Sequence, residues 1–372
     1  MLIVDAHQDL AWNILTFGRD YSQSAAKTRS SEMGSMTPFY NDDTMLGWPD
    51  YQKGQVALVF ASLFATPKRF CMGEWDVLCY ADANQADRLY HSQLDAYERL
   101  VDENAGKFRL VLSQTDLEGL LADWGNELHQ EPEEKSKEQG PHPVGLVITM
   151  EGAEAIRHPR ELEEWWGRGV RLIGPAWSGN RFCGGMGEPG PLTSEGYALL
   201  EGMAELDLGL DLSHMDETAA LQALEFYPSQ VVATHSNALA LLKASDSNRH
   251  LSFRLIQGIL ERDGVIGVVP FNAFLKPGWK RGDRREQVQM EQVVAQIDYL
   301  CQVAGDALHV GIGSDFDGGF GLQSVAVGID SIADLQKLVP HLVEKGYSKV
   351  DIAAILGQNW IARLRRVLPE SL

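Results

Sequence analysis

Positive charge is scarce in this chain. Its 372 residues carry 32 Lys and Arg against 52 Asp and Glu, a formal net charge of -20 at pH 7. That balance argues against nucleic acid and anionic membrane surfaces as partners, because both call for basic patches. Long apolar runs are missing as well. No stretch of about 18 or more apolar residues occurs, so no membrane-spanning helix is expected. Before the first apolar run at Leu2 there is no basic segment and no cleavage site, so no export signal is read. Cysteine is sparse. Cys71, Cys79, Cys183 and Cys301 form no CxxC pair, which disfavours a structural zinc knot. They are expected to be reduced thiols of a cytoplasmic protein. Pairing of Cys71 with Cys79 or Cys183 would belong to an exported one. No GxGxxG follows the first apolar run, and there is no internal repeat or low-complexity block.

What is present is a rhythm. Apolar, strand-like runs at 2–10, 54–65, 144–150, 169–177, 208–214, 230–235, 264–271 and 309–315 alternate with helical patterns at 75–104, 159–168, 194–206, 217–225, 252–262, 285–303 and 331–345. A short apolar run at 108–112 and a helix at 116–124 add to the series. Strands that are apolar throughout point to parallel pairing buried on both faces. The predicted fold is α/β: a single-domain (β/α)8 TIM-like barrel spanning 1–372, with a doubly wound open sheet as the structural alternative. The polar stretch 13–53 is predicted as a long loop over the barrel mouth, since it leaves the C-terminal end of the first strand. The charged segment 130–142 reads as a solvated loop.

Barrels of this class place their chemistry at the C-terminal strand ends. The first strand ends in His7 and Asp9, which share a face because strand side chains alternate with a period of two. Later runs end in Glu151, His214, His235 and Asp315. Each has a dull explanation on its own, a structural histidine or a helix cap, and Glu154 and Asp317 suit the capping reading. Taken together, imidazoles and carboxylates at five strand ends suit two metal ions, with one carboxylate shared between them. Glu151 is the candidate bridge. His7 and Asp9 would hold one ion, and His214 and His235 the other. Zinc is the expected metal, and other divalent transition metals would also fit. Asp315 is the candidate for moving a proton between a metal-bridging hydroxide and the leaving amine.

The segments DAHQDL at 5–10, GQVALVFAS at 54–62, TMEGAEAI at 149–156, LDLSHM at 210–215, THSNA at 234–238 and HVGIGSDFDGG at 309–319 resemble the membrane dipeptidase (renal dipeptidase) family, peptidase family M19 of the amidohydrolase superfamily. The resemblance implies a barrel with two zinc ions held by His7, Asp9, Glu151, His214 and His235, and Asp315 in proton transfer. It also implies that Arg249 meets the terminal carboxylate of a small dipeptide. The chain departs from the family in having Trp177 and Glu154 where histidine is often found. An indole donates one hydrogen bond and carries no charge, so Trp177 is read as a residue that touches substrate in a reshaped pocket.

The leading expectation is a binuclear zinc dipeptidase for small dipeptides, L-Xaa-D-Xaa among them, acting as a cytoplasmic enzyme, with a homodimer left open. The alternatives are a metal-dependent hydrolase of another small amide, N-acyl amino acid or lactone, and a metal-containing binding protein whose turnover has decayed.

Overall fold

Each apolar run that ends in a polar residue forms a strand buried along its whole length. In the computed structural model, which describes residues 1–125, 141–242, 245 and 247–371, these strands are β1 (Ile3–Gln8), β2 (Val56–Leu63), β3 (Val144–Glu151), β4 (Val170–Gly174), β5 (Gly209–Asp211), β6 (Val231–Val232), β7 (Ile266–Val268) and β8 (Val310–Ile312). All pair in parallel, in the order β6-β5-β4-β3-β2-β1-β8-β7. A parallel bridge from Ala233 to Ile266 brings the two ends together, with the Ala233 N–H donating to Val265 O at 3.0 Å. The result is a nearly closed barrel of eight strands in one domain. Strand Phe108–Leu110 adds to the outer edge of β3, beside Val144–Leu146.

Helices cover the barrel and fix its strand ends. Helix α5 (Ala83–Glu103) buries Ala86, Tyr90, Leu94, Tyr97 and Leu100, a stripe at helical spacing. Its Tyr97 hydroxyl donates to Ser62 O at 2.8 Å, and its Tyr90 hydroxyl donates to Glu151 O at 2.9 Å. The ends of β2 and β3 are thus pinned from outside.

Three expectations are corrected. The helix expected from Trp75 begins only at Ala83, where Asp82 accepts from the Gln85 N–H. The residues before it are held otherwise: Thr66–Pro67 pairs with Cys79–Tyr80, and Cys71 is disulfide-bonded to Cys79. That bond is the second correction, since the cysteines are expected mostly as reduced thiols; Cys183 and Cys301 are free and buried. Third, the stretch 13–53 is largely helical. It contains most of α1 (Leu10–Phe17), then α2 (Ala25–Glu32), α3 (Thr37–Asn41) and α4 (Trp48–Gly54). Gly18 ends α1 at φ 69°, a left-handed cap that glycine adopts without strain, and Ser24 caps α2. The polar residues that suggest a loop are buried: Asn13, Arg19, Glu32 and Asn41. Of segment 130–142, all but Pro141 and His142 lies outside the described residues. Among the described residues no helix is long and apolar enough to cross a membrane.

Candidate metal centre

Glu151 ends β3, and its two carboxylate oxygens face different partners. Oε2 lies 3.4 Å from His7 Nε2. Oε1 lies 3.0 Å from His214 Nε2 and 3.4 Å from His235 Nε2. On the Oε2 side, Asp9 Oδ2 and Asp315 Oδ1 stand 3.8 and 3.9 Å from His7 Nε2. The six residues come from five strand ends spread over more than three hundred positions. Parallel pairing alone brings them together, because each strand runs the same way and ends at the same rim. Two overlapping groups are compact enough to hold an ion, His7 with Glu151 and His235, and His7 with Asp9 and Asp315.

The donor set suits metal cations. His7 Nε2 is buried and has no hydrogen-bond partner, which is costly unless something cationic or polar meets it. His214 Nε2 and His235 Nε2 are 2.9 Å apart, both aimed at one carboxylate oxygen. The tautomer of His235 is set from behind. Thr234 donates its hydroxyl to Asp211 Oδ2, so its oxygen accepts from His235 Nδ1 at 2.8 Å. His235 Nε2 therefore keeps a lone pair directed at the centre, as a metal ligand requires. Burial, with the Arg249 charge next, pulls His214 down to about 4. Burial and the charge on His7 hold His235 well below the ordinary histidine value. Burial opposes ionisation of Glu151, but His7, His214 and His235 outweigh it and keep the carboxylate charged. His214, His235 and the ionised Glu151 are in the protonation states that bind zinc. Burial lowers His7, but Glu151 and Asp9 outweigh it and raise the imidazole well above the ordinary histidine value, so His7 would have to give up its proton to an ion.

Asp315 follows β8 and is half-buried, its side chain facing the cavity. Burial, reinforced by Asp9 and Glu151, raises its carboxyl well above the ordinary range against the pull of His7. It sits at φ 56°, with His214 at 66° and Asp317 at 65°. Non-glycine residues rarely take this left-handed conformation, and among the described residues Asp42, Gln55, Asp207 and Asp263 take it away from the centre. Gly318 makes room for the carboxylates: a Cβ there would run into Asp315 Oδ1 and Asp9 Oδ2.

Above the centre opens a cavity of about 240 Å³, the scale of a small molecule. Asp9, Glu151, His214 and Asp315 form its floor, and Trp12, Phe64, Trp177, Phe271, Phe274 and Phe320 contribute to its walls. Trp177 lines the cavity, its ring centroid 6.2 Å from that of His214. Arg249 is close but turned inward. Its Nη1 donates to Ser236 Oγ at 2.9 Å and its Nη2 to His235 O at 2.6 Å. Its guanidinium rests 5.3 Å from the Phe274 ring centroid, and it is not among the cavity's lining residues. Its buried Nε has no partner.

Glu154 and Asp317 cap no helix. Asn180 Nδ2 donates to Glu154 Oε1 at 3.0 Å, and the carboxyl is buried and raised by that burial. Asp317 takes Met45 N–H on Oδ1 at 2.8 Å and Tyr21 Oη on Oδ2 at 2.9 Å. The sequence reading passed over Ser62, which donates to Asp9 Oδ1, and the Asp211–Thr234 support of His235. Trp12 was also missed; its Nε1 is buried without a partner beside the cavity. The period-two spacing of Asp211 and Ser213 on a strand bound for a rim histidine was the available signal for the support of His235.

A sequence model of the membrane dipeptidase family, peptidase family M19, matches residues 1–370. The chain belongs to this family. As a member it is a metal-dependent hydrolase acting on peptide bonds. An uncharacterized protein of the pqqA 5' region of Klebsiella pneumoniae is 32% identical over 285 residues, which cover 74% of this chain and 94% of the relative. Among solved structures, dipeptidase AC, an M19 metallopeptidase, superposes with a TM-score of 0.77 at 24% identity, over 99% of both chains. A Rhodobacter sphaeroides metallopeptidase liganded with a phosphinate mimic of L-Ala-D-Ala gives 0.77 at 23% identity, again over 99% of both. These likenesses carry the barrel fold.

Proposed function

We propose that this M19 dipeptidase is a binuclear zinc enzyme for small dipeptides, including those with a D-residue at the C-terminal position. The observation that carries the reading is the division of Glu151: one oxygen toward His7, the other toward His214 and His235. His7 and Asp9 would hold one ion, His214 and His235 the other, with Glu151 shared. When bound, the ions supply Lewis acidity at the scissile carbonyl and lower the pKa of a water.

The chain's own residues do the rest. Asp315, on the cavity floor with Oδ1 3.9 Å from His7 Nε2, takes a proton at Oδ1 and returns it to the departing amine. Trp12 and Trp177 close the cavity walls against water. Helices α1–α4 act as its cover, with Trp12 of α1 reaching the cavity. Arg249 turns its free Nε toward the substrate carboxylate, a role that requires its side chain to release at least one present partner.

That requirement favours keeping the second reading, a small amide, N-acyl amino acid or lactone. Asp9, Glu151 and Asp315 are the charged groups that line the cavity, and no Lys or Arg does among the described residues. The deciding experiment is turnover by zinc-loaded protein on L,L- and L,D-dipeptides, their C-terminal amides, and lactones. Dipeptide turnover that falls on amidation supports the dipeptidase and the Arg249 contact. Turnover confined to uncharged amides or lactones supports the second reading. The cytoplasmic location expected from the sequence stands against the Cys71–Cys79 disulfide, which fits an oxidising compartment; thiol alkylation in cells decides, since a cytoplasmic chain would present Cys71 and Cys79 largely reduced.

A further inference from the structure

We infer that Phe64, Phe70 and Trp177 form a specificity pocket for a large aromatic side chain of the substrate, an assignment that rests on the dipeptidase reading above. Three observations converge on it. First, the rings form one continuous wall: the Trp177 centroid is 5.4 Å from Phe64 and 5.8 Å from Phe70, the latter nearly edge-on at 78°. The wall ends at the metal centre, next to His214. A further ring fits such an array at the separations aromatic pairs prefer, whereas an alanine methyl leaves it unfilled. Second, the outer part of the wall is apolar surface that nothing covers. Phe70 is 38% exposed and Met72 57% exposed, and both line the cavity.

Third, the wall is built rigidly, which adds to affinity by reducing the ordering needed on binding. Arg69, beside Phe70, donates from Nε and Nη2 to the two oxygens of Glu188 at 2.9 and 2.6 Å, and from Nη2 to Ser178 Oγ at 3.2 Å. This fastens the Phe70 segment directly onto the residue after Trp177. The Cys71–Cys79 disulfide and the pairing of Thr66–Pro67 with Cys79–Tyr80 close the same segment from its other side. Phe70 and Met72 therefore sit on a doubly anchored jaw opposite the Trp177 strand end.

The test compares zinc-loaded protein on Phe-Ala, Ala-Phe and Ala-Ala. The pocket gives the better phenylalanine dipeptide a kcat/KM about tenfold or more above Ala-Ala, a ratio in the range that apolar pockets reach. F70A lowers that ratio by a similar factor. Replacing Cys71 and Cys79 by serine raises KM for the phenylalanine substrate more than for Ala-Ala while kcat stays near its starting value. A ratio near one, or a ratio that neither variant moves, overturns the pocket while leaving the dipeptidase reading intact. If none of the three is hydrolysed, the dipeptidase reading fails and calorimetry decides the pocket. Phe-Ala amide binding about tenfold tighter than Ala-Ala amide upholds it, and equal binding overturns it.

Discussion

At the scale of single residues, the centre depends on protonation states that its surroundings impose. In the proposed mechanism Asp315 moves a proton rather than holding an ion, although it lies within reach of one beside His7 and Asp9. Asp315→Asn keeps the shape and removes the proton-accepting oxygen, so metal content should hold while kcat falls by about 10²–10⁴. Elemental analysis and steady-state kinetics on the same preparation check this; kcat near wild type would remove Asp315 from proton transfer. Thr234 acts one step back, turning the lone pair of His235 inward through its bond to Asp211. Thr234→Val should weaken metal binding by about 10–100-fold, measured by competition with a chelator, with kcat at saturating zinc much less affected. His7, Asp9, Glu151, His214 and His235 were legible as candidate ligands because each terminates an apolar run. The inward turn of Arg249 was not, because sequence shows a charge but not which carbonyl holds it. Nor could spacing reveal that Glu154 and Asp317 are buried acceptors rather than caps.

At the scale of elements, helices α1–α4 are bound to the rim by a buried polar network. Asn13 Nδ2 donates to Asp9 O and to Asp317 O, each at 2.9 Å. Arg19 pairs with Asp317 at 3.1 Å and with Glu32 at 2.9 Å. These helices are therefore wired to the backbone of Asp9 and to the turn carrying Asp315. Asp317→Ala leaves Arg19 short of a partner in a buried place, and breaking such a pair costs about 3–5 kcal/mol. Urea unfolding should show a loss of that order, and a loss under 1 kcal/mol, on the order of an exposed pair, would contradict the network's weight. This was the least legible part of the chain. Asn13, Arg19, Glu32 and Asn41 look like loop residues because their burial depends on partners far away in sequence. The start of α5 was misjudged for a related reason: the Cys71–Cys79 bond and a two-residue strand pairing override the helical pattern from Trp75.

At the scale of the whole molecule, the alternation of apolar runs and helices was enough to read a barrel. Parallel strands covered on both sides leave no polar face to confuse the pattern. What spacing could not supply was closure, which depends on the bridge between Ala233 and Ile266. Stability across pH carries its own signature. Burial, with the charge of Arg249 beside it, pulls His250 down to about 3, below the histidine value of 6.5 that an unfolded chain has. The unfolded state then binds the extra proton between these values. The resulting contribution to stability is present in full above about pH 6.5 and is lost as pH falls toward 3. His250→Gln should flatten the fall of Tm between pH 7 and pH 5 relative to wild type; parallel curves would contradict a buried neutral His250.

The most direct test of the central claim is metal stoichiometry measured together with turnover, on wild type and on Glu151→Gln. A carboxylate shared between two sites gives active wild-type protein with two transition-metal ions per chain. The glutamine variant then loses metal at both sites and loses activity with it. Full turnover without transition metal, or a Glu151→Gln protein that still holds two ions and still turns over, would contradict the account.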